Sequence, residues 1–200
     1  MSARDGMSEH IAALREMCHA GTADYILATQ TFWSDAHLQT VLDTTRAEHW
    51  RVPIQAIPEL SGGTATVWKK YELPAVLGTW WERVAGGSDV WAITDGNDNV
   101  IGTATYSVDY PSRRVNFSSD QAGTAYYVTG RTYDLAKAAA AVWRRKAAYY
   151  AAAVDWATDG HRVNASQAAA HCIQMAEEFE SQAGVGTVQM FRGDARRKPR

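Results

Sequence analysis

Hydrophobic spacing changes character twice along this chain, near residue 54 and again near residue 130, and that double switch constrains the fold more than any other feature. Before the first switch, Met7, Ile11, Leu14 and Cys18 recur at helical spacing, and Gly21 follows as a stop, so a helix is predicted over 7–20. Ser34 is a side-chain acceptor suited to cap a second helix. Trp33 before it and Leu38 after it form a hydrophobic staple. Leu38, Val41, Leu42 and Thr45 give that helix its buried stripe, and Pro53 ends any continuation. Between the switches the texture is extended. β-branched and aromatic residues crowd 64–71, 79–81, 90–94, 100–108, 113–117 and 125–129, with turns at Ser61-Gly62-Gly63, Gly86-Gly87-Ser88, Asp95-Gly96-Asn97-Asp98-Asn99 and Tyr110-Pro111-Ser112. After the second switch, Thr132 is the expected cap of a helix running to about 155, and Asp134 complements its dipole. Asn164 with Gln167 resembles a capping box opening a last helix striped by Ala168, Cys172, Met175, Phe179 and Ala183.

These elements predict an α+β fold: a four-helix-type bundle from 1–53 and 131–183, an antiparallel β module of five or six strands inserted at 54–130, and an extended basic arm at 184–200. The third helix is unusual. Ala139, Trp143, Ala147, Tyr150 and Val154 make one stripe, and alanines fill much of the remaining circumference. A helix so poor in polar residues is covered on more than one side, and small residues let its neighbours approach closely.

Charge and composition narrow the function. With 200 residues, 46% hydrophobic and 21% charged, the chain can bury a sizeable core. A net charge of −2 excludes a generally basic nucleic-acid binder. Five basic residues and one acidic residue in 192–200 make that end +4, which leaves −6 on the preceding 191 residues. Two cysteines, Cys18 and Cys172, give no disulfide framework. The polar start and the short apolar runs predict a soluble cytosolic product with no signal peptide and no membrane span.

The motifs of chemistry are mostly missing from the sequence. There is no nucleophile elbow, phosphate loop, dinucleotide fingerprint or paired-histidine zinc motif. Cys18-His19 and His171-Cys172 are adjacent pairs whose side chains diverge on a helix, so packed cysteines beside exposed histidines are expected rather than a zinc site. Asp95-x-Asn97-x-Asn99 matches the start of a calcium loop, but Val100 replaces the required glycine and Tyr106 the bidentate glutamate, which leaves a hairpin turn. Arg192-Gly193-Asp194 is read as coincidence. No catalytic residue, metal or cofactor is expected. Trp68, Tyr71, Trp80, Trp81 and Trp91 admit a second reading, a carbohydrate-binding module that stacks sugars on aromatic faces, against a first in which they fill a core or an interface.

The succession of segments carries a family resemblance. Tyr127-Val128-Thr129-Gly130-Arg131-Thr132-Tyr133-Asp134-Leu135, running into Ala138-Ala139-Ala140, resembles the strand-to-helix junction of tailed-bacteriophage head–tail adaptor (connector) proteins. Val154-Asp155-Trp156-x-x-Asp159-Gly160 followed by Asn164-x-Ser166-Gln167 is similar to the family's next segment, with Trp156 where Phe is expected. Leu38-x-x-x-Leu42-Asp43-x-x-Arg46 resembles its second helix, and Ile93-Thr94-Asp95-Gly96-Asn97 its hairpin. Together they span about 7–183. The resemblance implies a non-enzymatic virion protein at the neck of the portal vertex, made in the host cytoplasm. Such a protein forms a ring, typically of twelve copies, that joins the portal protein to the next neck or tail component (stopper, terminator or tail tube). DNA passes through the ring without sequence-specific contact. It further implies that Ala139, Ala140, Ala147 and Ala151 form a subunit interface. The arm then grips the portal, Val188, Met190 and Phe191 as an apolar anchor and Arg192, Arg196, Arg197, Lys198 and Arg200 as charged donors.

Overall fold

Four helices and a six-stranded sheet account for most of what the computed structural model describes, namely residues 3–21, 26–27, 30–31, 33–62, 65–78, 80–82, 91–152, 156–158, 161–163 and 165–183. The helices are α1 (Ser8–Met17), α2 (Asp35–Asp43), α3 (Leu135–Ala151) and α4 (Ala165–Gln182). Ser34 caps α2 as its chemistry predicts, accepting from the His37 amide at 3.4 Å. At α3 the cap is Asp134 rather than Thr132: its carboxylate accepts from the Lys137 amide at 2.9 Å. Two short antiparallel pairs lie apart from the main sheet, β1 (Ile26–Leu27) with β2 (Gln30–Thr31) and β9 (Trp156–Thr158) with β10 (His161–Val163).

The helices share one core. Met7, Ile11, Leu14 and Cys18 from the α1 region, Leu38, Val41 and Leu42 from α2, and Cys172 and Ala176 from α4 close around Ala138, Ala139, Val142, Trp143 and Ala147 of α3. Burying these side chains supplies most of the layer's stability, at about 25 cal/mol per Å² of apolar surface removed from water. One charge enters this core. The Lys146 ammonium, buried to 6% exposure, donates to the Cys18 carbonyl at 2.8 Å and the His19 carbonyl at 3.3 Å. It therefore meets the negative end of α1, where a cation is favoured.

The main sheet is antiparallel throughout, in the order β5-β8-β3-β4-β7-β6, and curls into a half-barrel. Its strands are β3 (Arg46–Ser61), β4 (Ala65–Glu72), β5 (Ala92–Thr94), β6 (Tyr106–Asp109), β7 (Arg114–Phe117) and β8 (Tyr126–Tyr133). The long strand β3 changes partner midway: Arg46 to Ile54 pair with β8, and Gln55 to Ser61 pair with β4. Pro53 lies where β8 is the only partner, so its missing N–H can fall on the free edge. Pro58 sits at a register shift between Ile57 and Glu59. The interior is strongly aromatic. Tyr71, Phe117 and Tyr126 have centroids 5.0–5.3 Å apart, and Trp81 meets Trp91 edge-on at 5.0 Å. Gly130 in β8 is required by this filling, because a Cβ there would lie 2.9 Å from the Trp81 ring and 3.1 Å from Trp91.

This architecture corrects the expected one. The sheet is the major element, not a small module inserted into a helical bundle. The physical reason lies in the two connections. β3 starts three residues after α2 ends, β8 ends two residues before α3 begins, and they pair from Arg46↔Tyr133 onward. Positions 53 and 130, the expected boundaries, therefore fall inside paired strands, and Pro53 interrupts no helix.

Candidate functional site

Strict alternation along β3 would turn Trp50 into the half-barrel, since Val52 and Ile54 point inward with 6% exposure each. The structure does the opposite. A bulge between His49 and Val52 breaks the pairing with β8 and reverses the phase. His49 takes the inward place, 5.3 Å from the Trp81 ring and with Nε2 2.7 Å from the Thr132 hydroxyl, and burial lowers its pKa. Trp50 is thrown outward to 78% exposure.

The turn of the bulge is Arg51, in the left-handed region at φ 48°. A non-glycine residue there costs about 1–2 kcal/mol, so it persists only where its surroundings fix it. Here they do. The Arg51 amide donates to the Thr129 hydroxyl at 3.2 Å, its guanidinium lies 4.7 Å over the Tyr127 ring, and it pairs with Asp98. Asp98 belongs to the loop after β5, which Asp95 organises by accepting from the amides of Asn97 at 2.8 Å and Asn99 at 2.9 Å and from the Asn99 side chain at 2.9 Å. Those bonds, the Asn99 side chain foremost, hold the Asp95 carboxyl below its ordinary pKa. Both of its oxygens thus serve the hairpin turn that the sequence predicts there.

A second polar constellation lies where the helices meet the sheet. Glu82 has 2% side-chain exposure, and its carboxylate accepts from Arg4 Nε at 2.8 Å and from the Tyr133 hydroxyl at 2.6 Å. Arg4 also reaches Asp43 at 3.0 Å and the Tyr133 oxygen at 2.8 Å, and its amide donates to Gln39 Oε1 at 2.5 Å. Burial opposes the guanidinium charge, but hydrogen bonds to Asp43 and Glu82 outweigh it and raise the pKa above the usual value. Burial, then Glu82, raises that of Tyr133. Each group satisfies the next, so the cluster acts as a fastener and presents no free base or nucleophile.

Among the described residues, those singled out from sequence form no single exposed site. Val188, Met190, Phe191, Arg192, Arg196, Arg197, Lys198 and Arg200 lie outside the described residues. Ala139, Ala140 and Ala147 are buried within the chain itself at 0%, 1% and 6% exposure, while Ala151 is exposed. The small side chains of α3 thus serve packing against α4, α1 and α2. Of the aromatics in the carbohydrate reading, Tyr71, Trp81 and Trp91 are core, Trp68 is half-buried and Trp80 is 37% exposed. Cys18 and Cys172 are buried, and Trp143 lies between His19 at 6.2 Å and His171 at 6.1 Å. Among the described residues no group of three or more His, Cys, Asp or Glu side chains is placed to hold a metal. The sequence reading missed Trp50 and Arg51, whose signal is a break of phase: two aromatic or apolar positions, 50 and 52, that a regular strand would put on one face. No protein-family model matches the chain, and no curated protein matches it.

Proposed function

We propose that this chain is a structural assembly subunit, a head–tail adaptor of a tailed bacteriophage. It forms a ring, of twelve copies by the family resemblance, between the portal protein and the next neck or tail component. The observation that carries the reading is the exported Trp50: a strained, multiply supported bulge holds an indole out to solvent, in company with Arg51 and Tyr127. Trp, Arg and Tyr are the residue types that dominate protein–protein contacts. The titratable groups nearest to a site, by contrast, are engaged with one another. The succession of segments in 7–183 supplies the family, and the sheet-dominated fold replaces the bundle in that picture.

The basic end supplies the second contact. Its charge opposes that of the rest of the chain, and Val188, Met190 and Phe191 add an apolar anchor for the portal. Co-expression with a portal protein should give portal particles bearing an added ring under electron microscopy. Removing 184–200 should abolish that decoration while far-ultraviolet circular dichroism and thermal unfolding stay nearly unchanged. Decoration by the truncated chain would end the role of the arm, and no association with a portal or tail component would end the adaptor reading.

A further inference from the structure

We infer that the free end of the β3–β4 hairpin is the arm by which this chain docks the tail-side component, an extended strand of that partner pairing with the hairpin's open edge beside Leu60. The identity of the partner rests on the adaptor reading above; the arm and the direction in which it points rest on geometry.

The hairpin outruns the sheet that supports it. β8 accompanies β3 only as far as Ile54↔Tyr126, and β7 meets β4 only from Lys70 to Glu72. The last outside hold is on Trp68, whose amide donates to the Asp120 carboxylate at 2.7 Å and whose carbonyl accepts from the Gln121 amide at 3.1 Å. Beyond it, Glu59–Ser61 and Ala65–Val67 pair with each other and, among the described residues, with no further strand. Lys70 pins the base to Glu59 at 2.5 Å.

Four of these six residues, Leu60, Ser61, Ala65 and Thr66, are exposed, Leu60 at 74%. An isolated two-stranded hairpin is marginally stable in water, so a stretch that buries so little gains little within its own chain. A lone exposed leucine carries no message. On an unsupported hairpin, whose outer edges leave backbone donors and acceptors open, it gives a partner strand one apolar anchor beside the main-chain hydrogen bonds. No cation stands among the six residues, which suits the arm to protein and not to nucleic acid.

Direction follows from the topology. β3 leaves the helical layer at Arg46↔Tyr133, and Leu60 lies near its far end, up to about 45 Å along extended backbone. The chain's basic end starts at the opposite pole. β9 pairs with β10, which brings the end of α3 and the start of α4 together, so the two helices run antiparallel; Glu180, near the end of α4, meets Arg144 of α3 at 2.7 Å. α4 therefore finishes beside the start of α3, where β8 also ends, and residues 184–200 leave from that helical end. An adaptor has a partner on either side. With the basic end on the portal side, the hairpin at the other end of the sheet is left for the tail side.

Purified full-length chain added to portal-bearing heads and free tails of its phage should yield joined particles under electron microscopy. Leu60→Asp should decorate heads as wild type does, with unchanged circular dichroism and melting temperature because the side chain it replaces is in solvent. It should join tails roughly tenfold less often. Hydrogen–deuterium exchange gives a readout that needs no variant: the amides of 59–61 and 65–67 should slow when tails are added and not when the portal protein is. Joining at the wild-type level by Leu60→Asp, or exchange that tails leave unchanged, overturns the arm. So does a variant that loses its ring or its hold on the portal, since the hairpin would then face a neighbouring copy or the portal. In each of these cases the adaptor reading survives. A wild-type chain that associates with neither heads nor tails removes that reading, and this assignment with it.

Discussion

His49 shows how one side chain carries the consequence of a one-residue slip. The bulge turns it inward, where it packs on Trp81 and pairs with Thr132, and burial lowers its pKa below the usual 6.5. A base with a depressed folded pKa favours the native state fully above the unfolded pKa, and that contribution is lost as the pH falls through the folded value. Stability should therefore decline as the pH falls below about 6.5, the value of the unfolded imidazole. His49→Gln, which keeps a hydrogen-bonding group but does not titrate, should flatten that decline. Urea unfolding of both chains across the range measures it, and parallel profiles would exclude His49 as the source. The sequence concealed this residue because alternation alone assigns the inward place to Trp50. Only the bulge, invisible without the partner strand, gives it to His49.

At the scale of elements, what could be read depended on whether an element's signal was local. Leu38, Val41 and Leu42 of the α2 stripe, its Ser34 cap and the turn at Asp95–Asn99 are set by neighbours within a few residues, and the structure has them where the sequence placed them; Thr45, expected in the same stripe, falls beyond the end of α2. The first half of β3 is different. It follows α2 without a glycine or proline to mark the switch, its alternation is broken at 50–51, and Pro53 argues against a strand, as Pro58 does in the second half. The alanines of α3 were legible as a demand for close neighbours, but not as to which neighbours. They are α1, α2 and α4 of the same chain. Ala147→Leu should therefore overpack the chain's own helical core and destabilise it by about 1–3 kcal/mol. Ala151→Leu, at an exposed position four residues on, should stay within about 0.5 kcal/mol of wild type. Thermal unfolding of the two variants separates packing inside the subunit from packing between subunits. If Ala147→Leu melts as wild type does, the burial assigned to it here is wrong.

At the scale of the whole molecule the described residues form two cores, one among the helices and one inside the half-barrel. Hydrophobic spacing shows both, but nothing local shows that strands about 80 residues apart in sequence pair so as to join them, since β3 and β8 meet only in three dimensions. The Arg4 fastener works at that junction. Glu82 is anchored to the sheet through its own amide, which donates to the Arg131 carbonyl at 2.8 Å, while Asp43 ends α2 and Tyr133 ends β8. Removing the guanidinium would leave the Glu82 carboxylate buried with only the Tyr133 hydroxyl and Arg131 at 4.0 Å. Breaking a fully buried pair costs about 3–5 kcal/mol, and because Arg4 is 33% exposed, with water able to reach the vacated space, about 2 kcal/mol is expected for Arg4→Ala. A second substitution, Glu82→Gln, should recover part of that loss by removing the stranded charge, an interaction a double-mutant cycle isolates. The fastener also predicts how the molecule comes apart. If it couples the layers, then in a chain whose helical-core Trp33 and Trp143 are replaced by Phe, unfolding followed by tryptophan fluorescence, which then reports mainly the half-barrel, should coincide with unfolding followed by far-ultraviolet circular dichroism, which reports mainly the helices. In Arg4→Ala the two curves should separate. Curves that shift together by 2 kcal/mol would show that the β3–β8 pairing alone couples the cores and that Arg4 contributes only its own bonds.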